Sequence, residues 1–204
     1  MNYIQIFGLQ CSGTNILHTL CKKNFSVTVG ESYGSKHGVK DSIQWDKIKR
    51  DRDNVLFVYI QKNVYAWIIS MRNSPHRCFP NGLSIKKVMQ HKYYASNVFK
   101  FPNILEMRKC VIDTIVDVKN ISANWLSISH IDLIKDPLSM LNKIKQYVPA
   151  NSFDLSPLSK YKGHSGKFIR NRYYIDEMYM KMFDKECKDI LNNLYDMNYE
   201  AKLM

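Results

Sequence analysis

The segment from Ile6 to Leu17, with the sequence IFGLQCSGTNIL, has the residue types of an anion-binding loop. Gly8 and Gly13 lie between an apolar strand pattern and an apolar helix pattern, and Thr14 stands where the helix should begin. Small residues let an anion approach backbone N–H groups closely, and a helix N-terminus adds partial positive charge. The segment predicts a loop that binds a phosphate-like group through its backbone.

This loop contains no lysine. A Walker-type nucleoside triphosphatase carries G-x-x-x-x-G-K-[ST], and its lysine reaches the β- and γ-phosphates. Here Gly13 is followed directly by Thr14. The missing lysine argues against ATP chemistry, and the loop taken alone also fits a plain strand-to-helix turn.

A second candidate pair lies in QKNVYAWIISMR, where Lys62 and Ser70 are eight residues apart and follow an apolar strand pattern. A cation at the carboxyl end of a parallel strand faces the crevice in which such sheets bind ligands. Ser70 would lie about two helical turns along and offer its hydroxyl. Each residue alone equally fits an ordinary surface lysine or helix-face serine.

The segment GSKHGVK, from Gly34 to Lys40, contains the adjacent residues Lys36 and His37. Histidine is the side chain best suited to take a proton near neutral pH. Adjacent residues of a strand point to opposite faces, so both enter one site only if this segment is irregular, which its glycines permit.

A further segment, YKGHSGKF, runs from Tyr161 to Phe168 and contains Lys162 beside Gly163. A charge next to a glycine amide suits a phosphate, because it offers one cation and one closely approached N–H group. Without the other segments, a flexible basic loop would explain it as well.

Strand and helix patterns alternate along the chain. Strands are predicted at Tyr3–Phe7, at Val55–Ile60 and within Trp125–Ile134. Helices are predicted at Asn15–Lys23, at Val64–Arg72, twice between Leu83 and Asn120 with a break near Phe101–Pro102, from near Asp136–Pro137, and from about Tyr174 to Tyr195. The charged segment Lys47–Asp53 is predicted to be a solvated turn. Such alternation indicates an α/β domain with a mostly parallel sheet.

Composition supports a globular chain. Of the 204 residues, 45% are hydrophobic, which suits one domain spanning residues 1–204. The net charge of +12 favours anionic partners.

The first 21 residues carry no charged side chain, but polar residues interrupt their apolar run, so no signal peptide or membrane anchor is predicted. Five cysteines without a CxxC pair indicate reduced thiols, no zinc site and a cytoplasmic location.

Taken in order, these segments resemble those of the P-loop sulfotransferases. GLQCSGTN is similar to the family's Pro-Arg/Lys-Ser-Gly-Thr loop, and SHIDLIKDP shares the positions Asp132, Leu133, Asp136 and Pro137 with a fold-supporting family segment. The resemblance implies a three-layer P-loop fold of the nucleoside-triphosphate-hydrolase type, with a central, mostly parallel sheet flanked by helices. It implies 3′-phosphoadenosine 5′-phosphosulfate (PAPS) as sulfuryl donor, 3′-phosphoadenosine 5′-phosphate (PAP) as product, and no metal.

The resemblance also implies roles for individual residues. His37 would be the general base on the acceptor, and Lys36 would stabilise charge on the transferring group. The implied donor-binding residues fall into two groups: Gln10, Cys11, Ser12, Gly13, Thr14 and Asn15 for the 5′-phosphosulfate, and Lys62, Ser70, Lys162 and Gly163 for the 3′-phosphate. Cys11 departs from the family, which has a cation there, and Lys36 or Arg72 is a candidate to compensate. The acceptor would be the hydroxyl or amine of a small molecule or carbohydrate.

Two other functions fit parts of the sequence. A P-loop kinase of small metabolites would need the Walker lysine and a carboxylate for magnesium after a strand, whereas VLFVYIQKN ends in other residues. A nucleic-acid-binding protein would use the net charge, and Lys167–Lys181 interleaves basic and aromatic residues. The same segment fits an amphipathic helix whose Tyr and Met residues pack on the sheet, and this interpretation is preferred.

Overall fold

The computed structural model describes residues 1–74, 78–94, 100–150, 152–156 and 176–203. Its strands are β1 (Tyr3–Phe7), β2 (Thr28–Gly30), β3 (Val55–Gln61), β4 (Tyr93–Tyr94), β5 (Lys100–Phe101) and β6 (Trp125–Ser129). Four of them form a parallel sheet in the order β2-β1-β3-β6, and β4 and β5 pair antiparallel apart from it. The predicted α/β fold with a parallel central sheet is confirmed.

Some helices connect successive parallel strands, and others follow the last strand of the sheet. They are α1 (Thr14–Asn24), α2 (Trp45–Asp51), α3 (Val64–Asn73), α4 (Ile85–Gln90), α5 (Ile104–Ile121), α6 (His130–Lys135), α7 (Pro137–Lys145), α8 (Asp176–Lys181) and α9 (Lys185–Leu194). Short 3-10 turns occur at Lys40–Ser42 and Tyr199–Leu203.

The central strand β3 divides the core into two halves. Its side chains alternate between the faces of the sheet, so that Leu56, Val58 and Ile60 pack with α1, α6 and α7. Phe57 and Tyr59 pack on the opposite face with α2, α3 and α5. A strand buried on both faces reads as a continuous apolar run, which is why VLFVYI predicted it. Helices on both faces make the fold three-layered.

The charged segment Lys47–Asp53 is not a turn through its length, because helix α2 extends to Asp51. Ile48 is fully buried in the core and gives the helix an apolar side. The charged residues lie on its solvent side. The high count of charged residues led to the prediction of a turn and gave no weight to Ile48.

The break predicted near Phe101–Pro102 is present, but it contains the β4–β5 pairing rather than a simple joint. Helix α5 then begins after Asn103, whose side chain accepts hydrogen bonds from the amides of Leu105 and Glu106. That N-cap satisfies two of the donors that a helix start leaves without partners.

The long helix predicted from Tyr174 to Tyr195 is wrong over its described part. Helix α8 ends at Lys181, and the carboxylate of Asp184 accepts from the amide of Cys187 to start α9. Met178 and Met180 are 40% and 39% exposed, so they do not pack on the sheet as predicted. Tyr179 is partly buried against the core.

None of the helices in the described ranges combines the length and the apolar character that crossing a lipid bilayer requires.

Removing a buried side chain of β3 should destabilise the fold through the half of the core in which that side chain packs. Leu56 is fully buried, so Leu56→Ala should lower the free energy of unfolding by about 2–5 kcal/mol, through lost apolar contact and the cavity left behind. Urea unfolding measures this loss. The matched control is Leu138→Ala, which removes a side chain that is 46% exposed and should change stability by about 0.5 kcal/mol or less. Equal losses would contradict the placement of β3.

Candidate functional site

The loop between β1 and α1 is shaped by close backbone contacts. A Cβ atom at Gly8 would lie 2.6 Å from Ser12 Oγ and 2.8 Å from both Ile60 Cγ2 and Thr14 Cγ2. Cys11 and Gly13 have φ values of 60° and 96°, in the left-handed region. The loop therefore turns tightly over the carboxyl ends of the central strands, where parallel sheets bind ligands.

The N-terminus of α1 directly follows the loop and has no side-chain cap. Gly13 is its N-cap and supplies no side-chain hydrogen bond. The first N–H groups of a helix have no partners within the helix, and they carry partial positive charge. The amide and hydroxyl of Ser12 instead donate to the Leu9 carbonyl, at 3.1 Å and 2.6 Å. The amides of Gly13 and Thr14 lie at the helix start and are the candidates to face an anion.

Lys62 supplies the cation of this loop. It follows β3 directly, is buried, and donates from Nζ to the Cys11 carbonyl at 3.1 Å and to Ser70 Oγ at 2.7 Å. Ser70 Oγ in turn donates to the Ala66 carbonyl at 2.9 Å. The two residues singled out by their spacing are thus in direct contact beneath the loop.

Cys11 turns its thiol into the protein rather than toward an anion. Its Sγ lies 3.8 Å from the Ser74 carbonyl oxygen. Burial raises the pKa of this thiol to about 11, while the charge of Lys62 opposes the shift and the neighbouring Cys78 adds to it. The thiol is therefore protonated near neutral pH, which disfavours a role as nucleophile.

The two candidates to replace the missing cation at position 11 have other contacts. Arg72 donates from Nε to the Leu83 carbonyl at 2.8 Å. Lys36 pairs with Glu31, with 3.3 Å between Nζ and Oε1. Lys62, in contrast, contacts the Cys11 backbone.

Gln10 and Asn15 lie at the two ends of the loop. The backbone carbonyl of Gln10 accepts a hydrogen bond from Trp67 Nε1 at 2.8 Å, and the side-chain Oε1 of Gln10 accepts one from the Tyr93 hydroxyl at 2.6 Å. Gln10 therefore anchors the loop to α3 and to β4. Asn15 is exposed in the first turn of α1, and its carbonyl accepts from Thr19 Oγ1.

The segment that contains Lys36 and His37 is bonded to the first glycine of the loop. The Gly8 amide donates to the Lys36 carbonyl, and His37 Nδ1 contacts the Gly8 carbonyl oxygen, both at 2.9 Å. Gly38 has a φ of 48°, and the chain is irregular here, as the glycines predicted. The His37 ring and the Lys36 backbone thus lie at the loop, while the Lys36 side chain points to Glu31.

Glu31 binds Lys36 at two points. Its Oε2 accepts from the Lys36 amide at 3.1 Å, and its Oε1 pairs with the ammonium. Burial alone would raise the pKa of the Glu31 carboxyl, but the Lys36 amide and charge hold that pKa below its ordinary value. Glu31 therefore remains ionised at neutral pH, as its pairing with Lys36 requires.

His130 is a site residue that sequence reasoning missed. It is buried at the start of α6, directly after β6, and a Cβ atom on Gly13 would lie 2.6 Å from His130 Cδ2. Burial, and then the charge of Lys62, hold the pKa of His130 well below its usual range. The ring is neutral and fills the space behind Gly13. The position of His130 directly after a strand was the signal by which sequence reasoning could have found it.

The remaining predicted residues, Lys162 and Gly163, lie outside the described residues. Within the ranges that the structure does describe, no group of three or more His, Cys, Asp or Glu side chains is arranged to hold a metal ion.

Comparison with known proteins finds similarity to solved structures but not to known sequences. No protein-family model and no curated protein matches the sequence. Among solved structures, the chain is similar to mouse sulfotransferase SULT7A1 complexed with PAP, with a TM-score of 0.60 and 12% sequence identity. The similarity covers 95% of this chain and 83% of that one. At this identity the likeness establishes the fold, a central parallel sheet flanked by helices as in that sulfotransferase.

The crowding behind Gly13 gives a test of the loop geometry. Gly13→Ala should lower the free energy of unfolding through unfavourable backbone conformation and through the clash with His130. Gly82→Ala is the control, because Gly82 has a φ of 78° but open space around its Cβ position. The control should lose only the backbone term, about 1–2 kcal/mol.

Urea unfolding of both variants measures the difference. A second change, His130→Ala, should restore part of the unfolding free energy that Gly13→Ala loses. The same second change should restore none of the unfolding free energy that Gly82→Ala loses. Equal losses at the two glycines would show that His130 does not lie against the loop.

Proposed function

We propose that this chain, as one domain over residues 1–204, is a sulfotransferase that moves a sulfuryl group from PAPS to a hydroxyl or amine of a small molecule or carbohydrate. The observation that carries the proposal is the contact of Lys62 with both Cys11 and Ser70 beneath a helix N-terminus that has no side-chain cap. This arrangement offers cation and amides to an anion and lacks the lysine that would grip a γ-phosphate. The fold shared with a sulfotransferase supports it.

In this proposal the amides of Gly13 and Thr14 hold the 5′-phosphosulfate at the N-terminus of α1. Lys62 and Ser70 hold the 3′-phosphate, together with Lys162 and Gly163. An ammonium group has three N–H donors. Lys62 would turn the donor that now bonds to Ser70 at least partly toward a phosphate oxygen. A metal ion has no assigned part in this proposal.

His37 is the proposed general base, and its contact with Gly8 fixes which nitrogen acts. A carbonyl oxygen only accepts hydrogen bonds, so Nδ1 must be the nitrogen that carries the proton. In the neutral ring Nε2 then keeps its lone pair. As the acceptor oxygen or nitrogen bonds to sulfur, the bond from sulfur to the bridging oxygen breaks, and the acceptor proton passes to Nε2. Lys36 would turn its side chain from Glu31 to stabilise negative charge on the sulfuryl oxygens or the leaving phosphate.

The other two functions gain less support. Strand β3 is followed by Lys62 where a kinase would need a carboxylate for magnesium. Of the basic and aromatic segment Lys167–Lys181, only the part from residue 176 is described, and it is the short helix α8.

Nucleotide binding is the first test of the donor site. The protein should bind PAP in preference to ATP. Lys62→Ala and Lys162→Ala should each weaken PAP binding about 10- to 100-fold, because each removes a charge-assisted hydrogen bond worth about 1.5–3 kcal/mol. Isothermal titration calorimetry measures both affinities. Lys49→Ala, an exposed lysine on α2, is the control and should bind PAP as wild type does. Binding of ATP as tight as that of PAP would overturn the proposal.

Turnover tests the role of His37 separately from binding. His37→Asn places an amide nitrogen at the position of Nδ1 and so retains a donor toward the Gly8 carbonyl, but it has no base. PAP affinity should therefore be kept while turnover falls by about 10²- to 10⁴-fold. PAP release from PAPS is measured with a phenol, an alcohol and an amino sugar as acceptors. A variant that turns over like wild type, with any acceptor that the wild type uses, would remove His37 from the mechanism.

A further inference from the structure

A buried ion pair lies on the far side of Lys62 from the loop. Arg108 on α5 is bonded to Glu200 in the 3-10 turn Tyr199–Leu203, and their side chains are 1% and 7% exposed. Arg108 Nε donates to Glu200 Oε1 at 2.7 Å and lies 3.2 Å from the Tyr195 hydroxyl, which donates to the same carboxylate oxygen at 2.7 Å. We call Arg108, Tyr195 and Glu200 the clasp.

The clasp contacts two residues that lead to the loop. Arg108 Nη2 donates to the Lys62 backbone carbonyl at 2.7 Å. The Arg108 guanidinium also lies 4.7 Å above the Trp67 ring. Neither contact involves an anion directly, and both use parts of the guanidinium that Glu200 holds in place.

Both residues continue to the loop backbone. Lys62 donates from Nζ to the Cys11 carbonyl, and Trp67 donates from Nε1 to the Gln10 carbonyl. In a trans peptide unit the C=O and N–H groups point in opposite directions. Holding the carbonyls of Gln10 and Cys11 therefore fixes the directions of the Cys11 and Ser12 amides, and it constrains Cys11 at a φ of 60°.

We propose that Glu200 is a positioning residue, which acts through Arg108, Lys62 and Trp67 to hold the loop in its anion-binding conformation. Glu200 is far along the chain from the loop and is joined to it by consecutive contacts among buried or partly buried groups. The effect on PAP binding rests on the proposed function, whereas the effect on the loop itself does not.

The test must separate positioning from stability, because breaking a buried ion pair leaves an uncompensated charge and destabilises the fold. Replacing both partners with apolar residues of similar volume is often neutral or stabilising. The variant Arg108→Met with Glu200→Met therefore removes the clasp without leaving a charge behind. Tyr199→Phe is the control in the same turn, since it removes only an exposed hydrogen bond to Asp113.

Two measurements follow for protein shown by urea unfolding to be folded. In the double variant, amide hydrogen exchange of residues 9–13 should accelerate and PAP should bind about tenfold more weakly, about 1.4 kcal/mol. The control should match wild type in both. Exchange and PAP affinity both equal to wild type would overturn the proposal. Faster exchange in a chain whose wild type fails to bind PAP would support the clasp and reject the proposed function.

A second variant covers the case in which the double variant does not fold. Trp67→Phe keeps an aromatic ring beneath Arg108 and removes the N–H that donates to the Gln10 carbonyl, together with part of the buried indole. Exchange of the Cys11 amide should accelerate in this variant, with α5 unaffected. Unchanged exchange at Cys11 would then overturn the proposal.

Discussion

The site depends on one buried ammonium group. Lys62 lies where the central strand ends, beneath the turn that leads into α1, and its Nζ bonds to the Cys11 carbonyl and to Ser70. A buried charge is costly unless it is well hydrogen-bonded. The loop carbonyl and the hydroxyl of α3 satisfy that requirement, and in doing so they draw strand, loop and helix together. Replacing the lysine affects all three elements as well as any bound anion.

The layered fold makes this arrangement possible. The side chains of β3 alternate between two apolar clusters, so the strand is fixed from both faces and its carboxyl end is placed firmly. Gln61 and Lys62 continue from that rigid end, and His130 occupies the equivalent position after the neighbouring strand β6. The polar groups of the site thus extend from a rigid sheet, while the backbone of the loop crosses above them.

The sequence was most informative where local patterns and fold agree. The apolar runs of β1 and β3, the glycines of the loop and the eight-residue spacing of Lys62 and Ser70 all correspond to features of the structure. It was least informative where a long-range contact decides the outcome. The contact of His37 with the Gly8 carbonyl and the packing of His130 behind Gly13 depend on segments distant in sequence. Strand β2, with three residues, is too short for a periodic signal, and the division between α8 and α9 depends on a single capping aspartate.

The two hydrogen bonds of Gly8 have a consequence for how ligands would influence one another. Its N–H and its C=O are both engaged by the Lys36–His37 segment, so the start of the loop and the imidazole ring cannot shift independently. A ligand that moves the loop must therefore also move the ring. Suppose that a ligand at the loop changes the affinity of a second ligand for the ring by some factor. By thermodynamic reciprocity, the second ligand then changes the affinity of the loop for the first by the same factor. Binding of a ligand at the loop and binding of a ligand at the His37 ring are in this way coupled through the two peptide units that flank the Gly8 α-carbon.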